Sequence, residues 1–256
     1  MFIKNPPHGS YCGCVVDEHD RKIIPVPKAK TKDNTGSGGG SAFVGAILGT
    51  KGSGKTVLMR NCLTHIWRGT FDLILVISPT WGQQEEIWRG TIGDEAHAGP
   101  GIDGSKGIVI FDRLHVAHLE AIKNLHMKKL EANPPRVFNS LLIIDDSGFF
   151  LRDHSDEARL LDEFVLTCRH YNCSLIWSSQ CLTQLSPSLR KNLNWMVSFP
   201  QNNSRELILM HSEWQPFETE DFLQFKSFMR SIPEYNYVCL EINSGVVHRS
   251  DILQQK

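Results

Sequence analysis

Short apolar runs alternate with helix-like patterns along most of the chain from residue 42 onward. Each run is short enough to be a buried strand, and it ends at Gly, Ser, Pro or Asp in most cases. The runs cover residues 42–48, 73–77, 107–111, 141–144, 174–180 and 195–199. Apolar positions recur at helical spacing behind the first run and over about 115–131, 156–170 and 218–231. This alternation predicts an α/β fold with a mostly parallel sheet flanked by helices.

The two ends of the chain differ from this pattern. Near the C-terminus, residues 237–242 and 246–249 are separated by Asn243-Ser244-Gly245, which predicts a C-terminal β-hairpin. Residues 1–41 form an N-terminal arm that ends in a flexible Gly/Ser stretch, either an engineered linker or a natural loop. Within the arm, apolar residues near 11–16 and 22–26 predict two short edge strands. We therefore expect a single globular domain over 42–256.

Composition narrows the class of protein. The 41% of hydrophobic residues suffice for a large core, and no apolar run reaches the roughly 18 residues of a membrane helix. Seven cysteines, mostly within apolar segments, favour reduced thiols in an intracellular compartment. Cys12-Gly13-Cys14 could suggest a metal site, but no second pair of ligands lies at suitable spacing, which favours small residues in a strand or turn.

Net charge excludes one kind of nucleic-acid binding. With 27 basic and 28 acidic residues the chain carries a net charge of −1, so it is no polycation that coats DNA non-specifically. DNA remains possible as a substrate, because a ring of subunits can grip the backbone with a few Lys and Arg from each copy.

A phosphate-binding loop follows the first apolar run. Gly49-Thr50-Lys51-Gly52-Ser53-Gly54-Lys55-Thr56 fits the pattern G-x-x-x-x-G-K-[ST] and lies between a predicted strand and a predicted helix. That arrangement directs backbone N–H groups and a helix N-terminus at a polyphosphate. The sequence therefore predicts nucleotide binding by these eight residues. ATP is favoured over GTP, because no N-K-x-D motif that would read guanine stands at the expected place.

Two adjacent carboxylates end a later strand. Asp145 and Asp146 follow the buried run 141–144, and ligands of an open parallel sheet bind at this edge. Asp145 is placed to hold Mg²⁺ together with the Thr56 hydroxyl, and Asp146 to polarise the attacking water. Taken without the phosphate loop, the same residues would read as a strand that ends in a turn. Gln180, at the end of the next strand, could bind the γ-phosphate or the water, or could simply terminate the strand.

Two arginines are candidates for stabilising the transferred phosphoryl group. Arg169 ends the helix before the strand that leads to Gln180, and Arg190 precedes the last core strand. A guanidinium suits this role because its planar fork donates to two oxygens at once. Both arginines could instead complement the dipole at a helix C-terminus.

These motifs together resemble the FtsK/HerA superfamily of DNA-pumping ATPases. The resemblance rests on the phosphate loop, the strand that ends in Asp145-Asp146, the segment from Arg169 to Gln180, and Arg190-Lys191-Asn192 before 196–199. Within the superfamily the chain is most similar to viral genome-packaging ATPases, including those of poxviruses, virophages and tailless phages. The resemblance covers about 43–200, and Asp146 departs from the Glu that is common elsewhere in the superfamily.

The resemblance implies a RecA-like core in a homo-hexameric or homo-pentameric ring. It implies ATP and Mg²⁺ as cofactors, Lys55, Asp145, Asp146 and Gln180 at the catalytic centre, and Arg169 as a finger that reaches into the adjacent subunit. Arg190 would be a second finger or a structural contact. Implied partners are double-stranded DNA and capsid vertex proteins, and the implied location is the host cytoplasm, a virus assembly site or the virion.

Three functions stay open from the sequence. The first is a motor that packages viral DNA, with the 90–107 loop, Lys123, Lys128, Lys129 and Arg152 as candidate DNA contacts. The second is a plasmid conjugation or segregation ATPase of the same superfamily, although such chains usually carry membrane segments or added DNA-reading domains. The third is a nucleotide switch or small-molecule kinase, which would need no arginine from a neighbour.

Overall fold

The computed structural model describes residues 42–63, 67, 70–80, 107–131, 138–146, 156–214, 221–242 and 245–250, together with two short strands in the N-terminal arm. The strands are β1 (Val15–Val16), β2 (Lys22–Ile23), β3 (Val44–Leu48), β4 (Leu73–Ile77), β5 (Gly107–Phe111), β6 (Ser140–Asp145), β7 (Cys173–Ser179), β8 (Trp195–Ser198), β9 (Val238–Glu241) and β10 (Val246–Arg249). The α-helices are α1 (Lys55–Asn61), α2 (Val116–Glu131), α3 (Asp156–Thr167), α4 (Pro187–Lys191), α5 (Ser204–Trp214) and α6 (Phe222–Arg230).

Eight of the strands form one sheet in the order β10-β9-β8-β3-β7-β6-β4-β5. Strands β3 to β8 are mutually parallel, whereas β9 and β10 run antiparallel to their neighbours as a terminal hairpin. The predicted α/β class, the mostly parallel sheet and the C-terminal hairpin are therefore confirmed. Because β7 lies between β3 and β6, the phosphate-loop strand and the aspartate strand are not neighbours in the sheet.

Apolar side chains cover both faces of the sheet. The larger cluster packs the sheet against α2 to α6, with Phe164, Leu189, Met210 and Phe225 as representatives. The smaller cluster lies beneath α1 and is rich in aromatic rings. Burial on both faces explains why the central strands read as continuous apolar runs in the sequence rather than as alternating ones.

The aromatic cluster under α1 depends on a close backbone approach. Trp195 contacts both rings of the stacked pair Phe43 and Trp67, with ring centroids 5.8 Å and 6.3 Å away. A Cβ at Gly45 would lie 2.3 Å from the Trp195 ring, closer than any real contact. Gly45 is therefore the residue that lets the indole approach the backbone of β3, near the start of the strand and away from the end that carries the phosphate loop.

Two helices were not expected from the sequence. Helix α4 has only five residues, and it begins at Pro187 behind the N-cap Ser186, whose Oγ accepts a hydrogen bond from Leu189 N. Helix α5 contains Glu206, which is 4% exposed and interrupts the apolar face. Its carboxylate accepts hydrogen bonds from the backbone N–H groups of Leu182 (2.6 Å) and Thr183 (3.3 Å). A carboxylate buried to cap a distant turn does not appear in a periodic pattern.

The predicted edge strands of the N-terminal arm pair with each other rather than with the main sheet. β1 and β2 form a separate antiparallel ladder with Val15 opposite Ile23. Cys12, Cys14 and the Gly/Ser stretch lie outside the described residues. None of the helices in the described part of the chain is long and apolar enough to span a membrane.

Candidate nucleotide site

The loop between β3 and α1 has the backbone of an anion cradle. Gly52 and Gly54 adopt φ angles of 79° and 103°, which residues other than Gly rarely adopt. At Gly49 a Cβ would lie 2.4 Å from Ser53 Oγ and 3.0 Å from Phe199 Cβ. Thr50, Lys51 and Gly52 are exposed to solvent, so their groups can reach a ligand. The glycines of the motif are thus required by turn geometry and by close packing.

Lys55 is held at the centre of this loop. The side chain is 5% exposed, and its Nζ donates to Gly49 O at 2.8 Å and to Thr50 O at 3.1 Å. Burial lowers the pKa of Lys55, and the negative charges of Asp146 and Asp145 offset part of this decrease. The ammonium is therefore positioned where phosphate oxygens would replace loop carbonyls as its partners.

Asp145 is almost fully buried at the end of β6. It is 1% exposed, and it lies opposite Ser178 of β7 in the sheet register. On the other side Ser78, which follows β4, donates from Oγ to Asp145 Oδ2 at 3.5 Å. Burial raises the pKa of Asp145 to about 6, with a further increase from Asp146, while hydrogen bonds from Ser178 and Ser78 and the charge of Lys55 act in the opposite direction.

Asp146 turns away from the strand toward the phosphate loop. Its φ of 47° places it in the left-handed region, which Asp tolerates better than most residues. Its backbone N donates to Ser178 O at 3.1 Å, and its Oδ1 lies 3.9 Å from Lys55 Nζ. The second aspartate of the predicted pair is therefore beside the loop lysine, as a water-polarising group near a γ-phosphate would have to be.

Strand β7 joins the two halves of the site. Ser179 O accepts from Gly49 N at 3.1 Å, while the preceding carbonyl, Ser178 O, accepts from Asp146 N. Gln180 follows directly, and its side chain is exposed at the same edge. The structure thus brings together the loop, both aspartates and Gln180 at the carboxyl ends of adjacent strands.

The donor set at this edge fits Mg²⁺. Thr56 occupies the first turn of α1 and is half-buried, and the Asp145 carboxylate is close enough to the preceding residue, Lys55, for its charge to raise the pKa of that lysine. Among the described residues no cluster of three or more His, Cys, Asp or Glu could hold a metal. Mg²⁺ is commonly bound by one or two protein oxygens, with phosphate oxygens and water completing the octahedron.

The two candidate arginines occupy different surroundings. Arg169 is exposed in a 3₁₀ turn, Cys168–Tyr171, that precedes β7. The seven residues of β7 separate it from the site edge, a distance of about 20 Å along the strand. Arg190, in contrast, is 13% exposed, and its Nε donates to both carboxylate oxygens of Glu213 on α5, at 2.9 Å and 3.0 Å.

The candidate DNA contacts are only partly described. Lys128 is exposed on α2, whereas the Nζ atoms of Lys123 and Lys129 lie over the rings of Tyr171 and Phe138 at 5.9 Å and 5.7 Å. Arg152 and almost all of the 90–107 loop lie outside the described residues.

Several groups at the site were not singled out from the sequence. Ser78 and Ser178 flank Asp145, and Phe199 packs against Gly49 and Gly54 of the loop. The available signal was weak: a Ser at the end of a predicted strand, beside an Asp at the end of another, becomes informative only once the order of the strands is known.

The fold and the site together define a class of protein. A strand, a glycine loop with a buried lysine and a helix, beside two aspartates that end a parallel strand, are the elements of a P-loop nucleoside triphosphatase. The sequence profile described as Poxvirus A32 protein matches residues 39–252, and the chain belongs to this family. A search of curated protein sequences found no match.

Solved structures share the fold. Genome packaging NTPase B204 of Sulfolobus turreted icosahedral virus 2, in complex with ATP-γ-S, matches with a TM-score of 0.62 and 19% identity, over 81% of this chain and 96% of that one. DNA-packaging ATPase B204 of Sulfolobus turreted icosahedral virus matches with a TM-score of 0.60 and 20% identity over the same shares. The cytoplasmic domain of the type VII secretion ATPase EccC from Thermomonospora curvata matches with a TM-score of 0.56 and 14% identity, over 96% of this chain and 29% of that one. The predicted resemblance to a poxvirus-type family is confirmed by the profile match, and the fold is shared with packaging ATPases of other viruses.

Proposed function

We propose that this protein is an ATP-hydrolysing motor that moves double-stranded DNA into a preformed viral capsid as a homo-oligomeric ring. The carrying observation is the convergence of Lys55 and Asp146, 3.9 Å apart, beside the buried Asp145. A loop that only bound nucleotide would not need a second carboxylate at this position. Membership of the Poxvirus A32 protein family and the fold shared with packaging NTPases support the viral assignment.

Each residue at the site has a separate role in ATP hydrolysis. Lys55 and the N–H groups of the loop bind the β- and γ-phosphates of ATP, and Thr56 with Asp145 holds Mg²⁺, which neutralises the charge on the phosphate oxygens. Asp146 orients the attacking water and accepts its proton, and Gln180 hydrogen-bonds the γ-phosphate or the water. Each of these groups belongs to one chain and one edge of the sheet.

The remaining catalytic charge comes from a second copy of the chain. Arg169 is exposed and about 20 Å from its own loop, so it cannot reach its own γ-phosphate without rebuilding β7. In a head-to-tail ring it lies against the nucleotide of the neighbouring subunit and acts as an arginine finger. Arg190 is held by Glu213 within its own chain, which supports its alternative role as a structural contact.

The motor function implies further partners. Double-stranded DNA passes through the ring, which is a hexamer or a pentamer, and capsid vertex proteins hold the ring at the site of packaging. ATP binding tightens the interface around Arg169, and hydrolysis loosens it, so that each cycle advances the DNA. The protein then works at a virus assembly site in the host cytoplasm or on the virion.

Stimulation by DNA tests this proposal. We expect the rate of ATP hydrolysis to rise when linear duplex DNA is added, and we expect the Lys55→Ala protein to show no hydrolysis with or without DNA. Single-particle imaging with a non-hydrolysable ATP analogue and duplex DNA should show closed rings around the DNA. An ATPase rate that ignores DNA, together with a monomer at high protein and nucleotide concentration, would reject the motor and leave a self-contained nucleotidase.

A further inference from the structure

We propose that Tyr235 is the platform on which the purine base of the bound nucleotide stacks. The proposal rests on the nucleotide site described above and adds to it the part that recognises the base. No residue of the phosphate loop or of the catalytic group can fill this role, because all of them act on phosphates, metal or water.

The order of the strands determines the side on which the base lies. Asp145, Asp146 and Gln180 end the strands on one side of β3, namely β7 and β6. A triphosphate in the loop therefore points its γ-phosphate toward β7 and β6, and its nucleoside leaves toward β8 and β9. At about 4.8 Å per strand, the near end of β9 is about 10 Å from β3. Val238 pairs with Ser198, so the segment before β9 lies at the same edge as the phosphate loop.

Two buried rings connect the phosphate loop to that segment. Phe199, 2% exposed, follows β8 and would contact a Cβ at Gly49 or Gly54 at 3.0 Å and 3.6 Å. Its ring centroid lies 5.5 Å from that of Tyr237, which is 7% exposed. The chain just before β9 is thus packed next to the loop through an apolar wall.

The turn that carries Tyr235 is tied to the hairpin. Asn236 N donates to Pro233 O at 3.1 Å and closes the turn. Ser250 Oγ donates to Asn236 Oδ1 at 3.1 Å, and it accepts from Tyr237 N at 2.8 Å. A platform for a flat ligand has to be held in this way, because a ring on a loose loop would lose freedom when the ligand binds.

Tyr235 itself has two features that folding alone does not favour. Its φ is 61°, a conformation that is costly for an aromatic residue. Its side chain is 56% exposed, whereas Phe199 and Tyr237, which pack against each other, are buried. An exposed ring in the turn before β9, at the same edge of the sheet as the phosphate loop, offers a π-face for stacking.

Binding measurements on ring-deletion variants test the assignment. Tyr235→Gly removes the ring and accepts the positive φ, Tyr235→Phe keeps the ring, and Leu223→Ala removes an apolar side chain that is 71% exposed on α6. The ligands are ATP and inorganic tripolyphosphate, measured by calorimetry. A single base stack contributes roughly a 5- to 150-fold change in affinity.

We expect Tyr235→Gly to lower the affinity for ATP by that factor and to leave the affinity for tripolyphosphate unchanged. Tyr235→Phe and Leu223→Ala should bind both ligands about as tightly as the wild type. Equal ATP affinity in Tyr235→Gly and the wild type would overturn the platform and leave the proposed ATPase intact. Unchanged ATP affinity with a lower DNA-stimulated rate would assign the ring to DNA and also overturn it. Failure of the wild type to bind either ligand would reject the nucleotide site as a whole.

Discussion

The carboxylate of Asp146 lies 3.9 Å from the ammonium of Lys55 across the mouth of the phosphate loop. Lys55 also donates to two carbonyls of the loop, so its charge is already shared before any phosphate arrives. An incoming γ-phosphate has to replace these carbonyls and the carboxylate as partners of the Lys55 ammonium. In the proposed mechanism the γ-phosphate then lies beside the carboxylate that orients the attacking water.

Replacement of Asp146 should therefore separate binding from hydrolysis. We expect Asp146→Asn to lower kcat by about 10²- to 10⁴-fold, because the amide accepts no proton from water. ATP affinity should stay the same or rise, since Lys55 loses an anionic competitor. Steady-state kinetics and equilibrium binding measure the two effects, with Asp156→Asn on the exposed start of α3 as the matched control. Retained kcat in Asp146→Asn would remove this residue from the catalytic group.

Asp145→Asn should abolish Mg²⁺-dependent hydrolysis yet stabilise the ligand-free protein. Burial raises the pKa of Asp145 from 3.8 to about 6, so the folded state holds its proton more tightly than the unfolded state. The stabilisation from this proton is complete below pH 3.8 and is lost as the pH rises through 6. At pH 7.5 to 8 the wild type lacks this stabilisation. The free energy of unfolding of Asp145→Asn should therefore exceed that of the wild type by about 3 kcal/mol at most.

The pH dependence of that gain provides its control. Urea unfolding of both proteins is measured without metal or nucleotide. The difference in the free energy of unfolding between Asp145→Asn and the wild type should shrink toward zero at about pH 4. A variant that is less stable than the wild type at pH 8 would show that Asp145 contributes more to the fold as a carboxylate than burial costs it.

His126 should make the protein sensitive to mild acid. The ring is 2% exposed on α2, and its Nε2 lies 2.8 Å from Ser140 Oγ. Burial lowers the pKa of His126 from 6.5 to about 4, against a smaller increase from Asp72. The unfolded state therefore binds the proton first, and stability is lost as the pH falls from 6.5 toward 4, by about 3 kcal/mol from this group.

His126→Gln isolates this contribution. The amide can still bond to Ser140 Oγ but does not titrate, so the variant should lose less stability than the wild type between pH 6.5 and 4.5. Thermal melts at several pH values measure the difference between the two slopes. Parallel slopes would place the acid sensitivity elsewhere in the chain.

Arg169→Ala and Lys55→Ala should complement each other when mixed. Each protein alone lacks one part of every shared site, and loss of an arginine finger costs about 10³- to 10⁵-fold in kcat. In a random mixture of equal parts, about one quarter of the interfaces in a ring join an intact loop to an intact finger. ATPase activity should therefore recover toward that fraction of the wild-type rate. Activity no higher than the average of the two variants would show that the site is complete within one chain.

Arg190→Ala provides a contrasting case. Its guanidinium already binds Glu213, and its Nη1 donates to Leu185 O at 2.6 Å. We expect this variant to melt at a lower temperature and its remaining activity to be independent of Lys55→Ala protein. Rescue by mixing would instead assign Arg190 as a second finger.

Much of the fold could be predicted from the sequence, because buried parallel strands are continuous apolar runs. The runs at 73–77 and 107–111 match β4 and β5 residue for residue. The loop was equally visible, since Gly52 and Gly54 are demanded by backbone geometry. Helix α5 was not visible, because Glu206 is buried for the sake of a turn more than twenty residues earlier.

The strand-end positions of the candidate site residues were predictable from the sequence, and their arrangement in space was not. Asp145 and Asp146 end a strand, and that much is readable from the sequence. Their flanking by Ser78 and Ser178 depends on which strands are neighbours, and the approach of Asp146 to Lys55 depends on a positive φ. Tyr235 stood out only when its exposure and backbone conformation were seen together.

The two consecutive carbonyls of Ser178 and Ser179 have a consequence for how this enzyme can vary. Both Asp146 and Gly49 are hydrogen-bonded to the same strand, β7. The distance between the aspartate and the phosphate loop therefore does not depend on the length of the segments that connect them in the sequence. Insertions or deletions in those connecting segments can therefore change the surface of the protein without changing the distance between Asp146 and the phosphate loop. A slip of β7 by a single residue, in contrast, would disable both halves at once.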